Sequence, residues 1–118
     1  MQLTNLLTKL MRVEPISPGR LYEMISNDHV TVVDENTQQS WIRAHVPGAL
    51  NLDTVDYSVR DLPADKKSNL VFYCSNPMCR KAPNAALRAG KMGYTSVKVM
   101  PAGIRGWISA GLPTESEE

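Results

Sequence analysis

The sequence predicts a single α/β domain organised around a mostly parallel β-sheet. Short runs rich in β-branched and aromatic residues alternate along the chain with segments of helical periodicity. Several of these runs are continuously apolar, which is typical of parallel strands that are covered on both faces. A chain of 118 residues is long enough to bury one substantial core and falls within the usual size of one domain.

Two helices are predicted before the first of these strands. Apolar residues recur at helical spacing in residues 1–14, so we predict an amphipathic helix there that packs on the domain or docks on a partner. A second helix is predicted to begin at Pro18, because Ser17 is a good N-cap residue and proline suits the first helical position. The apolar residues of the first helix are Leu3, Leu6, Leu7, Leu10 and Met11.

From residue 30 onward, predicted strands and helices alternate. The run VTVVD (30–34) is β-branched and continuous, and LVFY (70–73) has the same buried character. The helix that starts near Lys81 is predicted to stop at Gly93, and a last short helix is ended by Gly111. The other predicted elements are a helix at 37–44, a turn and short strand at 45–52, a loop at 61–69, a strand at 96–100 and the last helix at 103–111.

The composition argues against several classes of function. Acidic and basic side chains nearly cancel to a net charge of +1, so no basic excess points to nucleic acid. The longest apolar runs are only a few residues long, so we predict no membrane segment. Two cysteines are too few for a disulfide framework, and the N-terminus lacks the pattern of a secretory signal. We therefore expect a cytoplasmic protein.

The two cysteines, Cys74 and Cys79, lie between the 70–73 strand and the helix that follows it. In parallel sheets, ligands bind at the carboxyl ends of strands, and a loop that enters a helix turns its N–H groups toward an anion. Such a site favours a thiolate at Cys74, and the guanidinium of Arg80 adds a fixed positive charge. The predicted anion-binding loop comprises Ser75, Asn76, Met78, Cys79 and Arg80, stiffened by Pro77, which lacks an N–H group.

Other interpretations of the cysteines remain open at this point. A cysteine at the end of a strand is often simply a small buried apolar residue. A zinc site is poorly supported, because the spacing is not Cys-x2-Cys and the sequence places neither His29 nor His45 beside the loop. A disulfide between Cys74 and Cys79 is sterically open, since a short loop can bring the two together.

Two long segments, VTVVDENTQQSWIRAHVPGALNL and LVFYCSNPMCRKAPNAALRAGKMGYTSVKVMPAGIRGWISAGLP, carry a pattern of motifs. They contain the strand-ending Asp34, Trp41 in the next helix, HVPGALNL, the Cys74 loop, a GY pair and GIRGWISAGLP. On these motifs, residues 15–114 resemble the rhodanese-like family of sulfurtransferase domains. Residues 1–14 are then a helical extension, and residues 115–118 form an acidic end outside the predicted domain.

The resemblance implies both a fold and an activity. The family fold is a five-stranded parallel sheet flanked by helices on both faces. By resemblance, Cys74 is the catalytic cysteine, which takes sulfur from a small donor such as thiosulfate or a persulfide. It passes the sulfur, as a persulfide, to cyanide, to a thiol or to a protein acceptor. Neither a cofactor nor a metal is implied. Asp34, His45 and Gly48 match structural positions of the family, where His45 orders its turn rather than acting as a base.

Three features depart from the family pattern. Arg80 follows Cys74 by six residues rather than five, a spacing that resembles related cell-cycle phosphatases and some arsenate reductases, whose substrates need a wider loop. Asn36 stands where the family often has an arginine, so a buried charge pair is expected to be missing. Ala102 replaces one glycine of a more usual pair.

Cys79 is a candidate resolving cysteine, because a thiol at this place can attack a Cys74 persulfide and expel sulfide. Two other functions therefore stay open beside sulfur transfer. One is a phosphatase or arsenate reductase on the same fold, favoured by the loop length. The other is a non-catalytic rhodanese-like binding module, favoured by the N-terminal extension and by Asn36 and Ala102.

Overall fold

A computed structural model describes residues 13–27 and 29–118 of the chain. The predicted amphipathic helix falls almost entirely on residues 1–12, outside the described part. Its last two residues, Val13 and Glu14, belong instead to a strand, so the predicted start of the domain at residue 15 is too late. The strands are β1 (Val13–Pro15), β2 (Thr31–Asp34), β3 (Leu50–Asn51), β4 (Asn69–Tyr73) and β5 (Ser96–Val99). The helices are α1 (Pro18–Ser26), α2 (Gln38–Arg43), α3 (Lys81–Lys91) and α4 (Gly103–Ser109), with a 3-10 turn at Val59–Asp61.

The five strands form one parallel sheet in the order β1-β5-β4-β2-β3, which confirms the predicted sheet. β4 lies at its centre, and its residues from Leu70 to Tyr73 are all fully buried, as its continuous apolar sequence requires. β1 lies at an edge, where Pro15 can be tolerated because an edge strand has one row of N–H groups without a ladder partner. This short strand was not predicted from composition, because its three residues include Glu14 and Pro15.

Helices cover both faces of the sheet, as predicted. Successive side chains of a strand point to opposite faces, so the residues of β4 divide between two cores. Leu70 and Phe72 pack with the alanines of α3 on one face, while Val71 and Tyr73 pack with the residues of α1 and α4 on the other. The alanines are Ala82, Ala85, Ala86 and Ala89, and the main contributions of α1 and α4 are Leu21 and Trp107.

Side-chain caps fix the starts of the first two helices. The Ser17 hydroxyl accepts a hydrogen bond from the Arg20 amide (3.2 Å), and the Thr37 hydroxyl accepts one from the Ser40 amide (3.2 Å). Both interactions satisfy N–H groups that have no partner within the first turn of a helix. No helix of the described residues is both long and apolar enough to cross a lipid bilayer.

The acidic C-terminal end packs on the domain rather than standing apart from it, which corrects the predicted boundary at residue 114. His45 and Glu115 exchange two backbone hydrogen bonds of 2.9 Å in an antiparallel bridge. The amide of Glu117 then donates to the carbonyl oxygen of Ile42 (2.8 Å). The last residues therefore continue the structure past the predicted end.

The start of α4 holds the loop that follows β4. The amide of Ile104 donates to the Cys74 carbonyl oxygen (2.8 Å), and the amide of Arg105 donates to that of Ser75 (3.1 Å). This close approach requires glycine at position 103, where φ is +66°. A Cβ atom there would lie 2.5 Å from the carbonyl oxygen of Ser75, which is too close for any relaxed side chain.

We expect Gly103→Ala to lower the free energy of unfolding by more than about 2 kcal/mol. The left-handed conformation alone costs a residue with a Cβ about 1–2 kcal/mol, and the loop backbone must also move. Gly111→Ala is the matched control, because Gly111 has a φ of +77° but open space around its Cβ position. Urea unfolding of both variants measures the difference. Equal losses would show that the contact with Ser75 contributes nothing.

Candidate active site

Cys74 lies directly after β4 and is joined to Cys79 by a disulfide, with 6.4 Å between their Cα atoms. Only 3% of Cys74 is exposed, whereas Cys79 is half-buried. Of the possibilities left open by the sequence, the structure contains the disulfide. Both sulfur atoms are thus in one loop between the end of a central strand and the start of α3, although neither is a free thiol in this form.

Asn76 organises the interior of this loop. Its side-chain oxygen accepts a hydrogen bond from the Met78 amide (2.8 Å), and its carbonyl oxygen accepts one from the Cys79 amide (3.1 Å). Short polar side chains commonly capture nearby backbone N–H groups in this way. The predicted cup of inward N–H groups is therefore only partly formed. Pro77 has no N–H group, so the loop amides without a hydrogen-bond partner among the described residues are those of Ser75, Asn76 and Arg80.

Arg80 stands at the entrance to α3 with its side chain exposed. It precedes the helix in a helical conformation and makes no side-chain cap. It also forms no ion pair within residues 13–27 and 29–118. The guanidinium can therefore meet an anion at the mouth of the loop, where the helix N-terminus has the same sign of charge. Met78 is 86% exposed beside it.

A small cavity of about 80 Å³ lies against the disulfide. Its walls include both cysteines, Ala82 of α3, Val99 at the end of β5 and Met100 directly after it. A water molecule occupies about 30 Å³ in the liquid, so this space is sufficient for one additional atom the size of sulfur.

A buried hydrogen-bond network fixes the strand ends behind the loop. The Tyr73 hydroxyl donates to Oδ2 of Asp34 (2.5 Å) and accepts from the Val46 amide (3.0 Å). The Asn36 amide donates to Oδ1 of Asp34 (2.7 Å). Burial raises the pKa of Asp34, an effect that the hydrogen bond from Tyr73 opposes. Burial and the nearby Asp34 charge raise the pKa of Tyr73 well above its ordinary value.

Asn36 contacts the cysteine loop directly. The Ser75 hydroxyl donates to its side-chain oxygen (2.6 Å), while the Asn51 side chain donates to its carbonyl oxygen (2.9 Å). At the Asp34 carboxylate, the hydrogen-bond donors among the described residues are the Tyr73 hydroxyl and the Asn36 amide. Asn36 therefore supports the cysteine loop through a hydrogen bond between two uncharged side chains.

His45 lies away from the cysteine loop. It is buried, stacks on the Trp41 ring at 4.5 Å, and its Nδ1 lies 2.6 Å from the Trp41 carbonyl oxygen. A carbonyl oxygen only accepts, so Nδ1 is the protonated nitrogen. The other nitrogen, Nε2, faces the Glu117 carboxylate at 3.5 Å. Gly48 lies in the same turn with a φ of +78°, and its amide donates a hydrogen bond to Oε1 of Glu115 (2.8 Å).

Glu35 is a residue that the sequence reasoning missed. It follows Asp34 at the end of β2 and is only 3% exposed. The Thr54 hydroxyl donates to its Oε1 (2.7 Å), but Oε2 has no partner in the described part of the chain. Burial raises the pKa of Glu35 to about 7; the Asp34 and Asp53 charges add to the effect and Lys81 opposes it. The sequence did contain one signal for a buried acid at this place, because Glu35 directly follows a predicted β-branched strand.

Glu35 and Cys74 are the first residues beyond the paired ends of β2 and β4. β2 and β4 pair with Asp34 beside Tyr73, and the Glu35 amide donates to the Tyr73 carbonyl oxygen (2.8 Å). The next residues, Glu35 and Cys74, are therefore side by side. The two-residue period of the strands places both side chains on the face that α3 covers.

Comparisons with known proteins agree with this architecture. A family model described as Rhodanese-like domain matches residues 17–110. The HTH-type transcriptional regulator Rv0324 of Mycobacterium tuberculosis is 31% identical over 86% of this chain, which spans only 45% of that protein. The thiosulfate sulfurtransferase GlpE of Actinobacillus succinogenes is 24% identical, over 90% of this chain and 94% of that protein.

Two solved structures illustrate the likeness in fold. The BH2092 protein of Bacillus halodurans superposes with a TM-score of 0.81 at 21% identity, over 97% of this chain and 83% of that one. RPA3614 of Rhodopseudomonas palustris, described as a "Possible Tyrosine Phosphatase", gives 0.71 at 20% identity, over 98% and 95%. The parallel sheet and the family match across residues 17–110 together establish that this chain belongs to the rhodanese-like domain family.

Proposed function

We propose that this chain is a sulfurtransferase that carries sulfur as a persulfide on Cys74. The observation that carries the proposal is the position of Cys74, which lies between the end of β4 and the N-terminus of α3 with a second cysteine within bonding distance. The small cavity beside the two sulfur atoms and the exposed Arg80 at the mouth of the loop support it. The weak similarity to GlpE, a thiosulfate sulfurtransferase, agrees with it.

The proposed cycle starts from the reduced dithiol. The Cys74 thiolate attacks the outer sulfur of thiosulfate, the S–S bond of thiosulfate breaks, and sulfite leaves with the bonding electron pair. Arg80 holds the anionic donor, and the free amides of the loop share the charge of the resulting persulfide. An acceptor thiolate or cyanide then attacks the outer sulfur of the persulfide, and the Cys74 thiolate is the leaving group.

Cys79 offers a second exit from the persulfide. Its thiolate attacks the inner sulfur, on Cys74, and expels the outer sulfur as hydrosulfide. The two thiols are oxidised to the Cys74–Cys79 disulfide while the carried sulfur is reduced, so the electrons balance. Reduction by an external thiol returns the dithiol. A reducing cytoplasm suits this step, so we place the activity there.

A phosphatase or arsenate reductase is the second candidate. The Cys-x5-Arg spacing favours it, as does the likeness in fold to RPA3614, described as a possible tyrosine phosphatase. A tetrahedral oxyanion needs a ring of N–H donors, and in this loop Asn76 occupies two of them while Pro77 lacks one. The internal hydrogen bonds of the loop therefore favour a loop that encloses the single outer sulfur of a persulfide over one that encloses a whole phosphate or arsenate group.

We expect thiosulfate to add one sulfur atom to Cys74 of the reduced protein, because the thiolate there is the proposed nucleophile. Peptide mass spectrometry should find the adduct in wild type and in Cys79→Ser, and not in Cys74→Ser. An adduct that survives in Cys74→Ser would contradict the proposal. Cys74-dependent hydrolysis of a phosphate ester or reduction of arsenate, without an adduct, would favour the second candidate. No Cys74-dependent reaction of either kind would favour a binding module.

Arg80→Ala should reduce turnover with thiosulfate by about ten- to a hundredfold, because a charge-assisted hydrogen bond contributes roughly 1.5–3 kcal/mol. Turnover with a neutral organic persulfide donor should change little. Steady-state rates with both donors measure the difference, and Arg60→Ala controls for the loss of one exposed positive charge. Equal losses with both donors would assign Arg80 to loop structure alone.

Cys79→Ser should lengthen the lifetime of the Cys74 persulfide, because the serine hydroxyl cannot attack the inner sulfur. In wild type the persulfide should form first and then decay faster, with release of sulfide and accumulation of the Cys74–Cys79 disulfide. Time-resolved mass spectrometry with sulfide detection checks both outcomes. Matching persulfide lifetimes in the two proteins would make Cys79 a packing residue.

A further inference from the structure

A polar cleft of about 660 Å³ opens beside the cysteine loop, between the segments that follow β2 and β3 and the first turn of α3. Eight of the nine residues that line it are polar or charged, Val55 being the exception, so it does not suit a hydrocarbon ligand. Its size is in the usual range for small-molecule sites. The cleft adjoins the loop because Asn36, on its wall, accepts the hydrogen bond from Ser75.

Glu35 gives this cleft a specific chemistry. Its side chain is 97% buried, lines the cleft, and leaves Oε2 without a hydrogen bond among the described residues. An unsatisfied carboxylate oxygen is costly to bury, and an apolar residue would end the strand equally well. Oε2 itself is enclosed, so the side chain must turn this oxygen toward the cleft before a ligand group can donate a hydrogen bond to it and remove that cost. A positively charged donor gains most, since the Asp53 carboxylate lines the same cleft.

The opposite side of the cleft has the opposite charge. Lys81 is the first residue of α3 and lines the cleft at the helix N-terminus, where the exposed N–H groups also favour an anion. The positive charge of Lys81 argues against a divalent metal as the ligand, because a cation in the same cleft repels it. A single small molecule with an ammonium group for Glu35 and a carboxylate for Lys81 satisfies both sides.

We propose that the cleft between Glu35 and Lys81 is a binding site for a small α-amino acid, with its ammonium group on the Glu35 and Asp53 side and its carboxylate on the Lys81 side. The site stands independently of sulfur transfer. Neither cysteine lines the cleft, so amino-acid binding there is a property distinct from the persulfide chemistry.

The test uses S-methyl-L-cysteine, a thioether that can neither accept sulfur nor reduce the disulfide. Calorimetric titration of the full chain at neutral pH should show saturable binding, with NMR shifts at the Thr54 and Lys81 amides. 3-(Methylthio)propionate, which lacks the ammonium group, and 2-(methylthio)ethylamine, which lacks the carboxylate, should each bind at least about tenfold more weakly.

Variants separate the two ends of the site. Glu35→Gln keeps the shape of the side chain but removes its charge. It should weaken the binding of S-methyl-L-cysteine and of 2-(methylthio)ethylamine about tenfold or more, and should leave the binding of 3-(methylthio)propionate unchanged. Lys81→Gln should weaken the binding of S-methyl-L-cysteine and of 3-(methylthio)propionate, but not the binding of 2-(methylthio)ethylamine. Glu14→Gln and Lys91→Gln each remove one exposed charge of the same sign away from the cleft and should leave binding unchanged. Equal affinity of wild type and Glu35→Gln, or equal affinity for the amino acid and the acid, would overturn the proposal.

Persulfide loading from thiosulfate, measured on the same preparations, keeps the two proposals apart. Loading without amino-acid binding would overturn the cleft proposal and leave the sulfurtransferase intact. Amino-acid binding without persulfide loading would overturn the sulfurtransferase proposal and leave the cleft proposal intact.

Discussion

The hydrogen bond from the Tyr73 hydroxyl to the Asp34 carboxylate joins the ends of the two strands that carry the candidate site. A buried carboxylate is tolerated only when its oxygen atoms have partners, and here the Asn36 amide supplies the second one. Cys74 comes immediately after Tyr73, and Glu35 immediately after Asp34. The same interaction therefore sets the position of the cysteine loop and that of the polar cleft, and through Val46 it also fixes the turn that contains His45.

The cysteine loop is held from the opposite side by the backbone of α4. Two amides at the start of that helix bind carbonyl oxygens of Cys74 and Ser75, and Gly103 allows the helix to approach closely enough to do so. The loop is thus fixed at its first two residues, whereas Met78 and Arg80 stay exposed at its outer edge. Such an arrangement keeps the inner sulfur in place while the outer part of the loop remains accessible to a substrate.

Much of this architecture could be predicted from local patterns. The continuous apolar run of β4, the Ser17 cap and the position of Cys74 after a buried strand all depend on short stretches of sequence. The features that were missed depend on distant contacts. β1 is recognisable only through its pairing with β5, the burial of Glu35 depends on Thr54, and the C-terminal end is held by His45. The capture of two loop amides by Asn76 depends on a backbone geometry that composition does not specify.

The unequal burial of the two cysteine residues gives the disulfide a chemical direction. An incoming thiol must reach one sulfur in line with the S–S bond, and Cys79 is the accessible partner while Cys74 is enclosed. Attack at Cys79 leaves the mixed disulfide on that residue and releases Cys74 as the thiolate. A single encounter with a reductant then frees the Cys74 thiolate without the reductant ever having been attached to that residue.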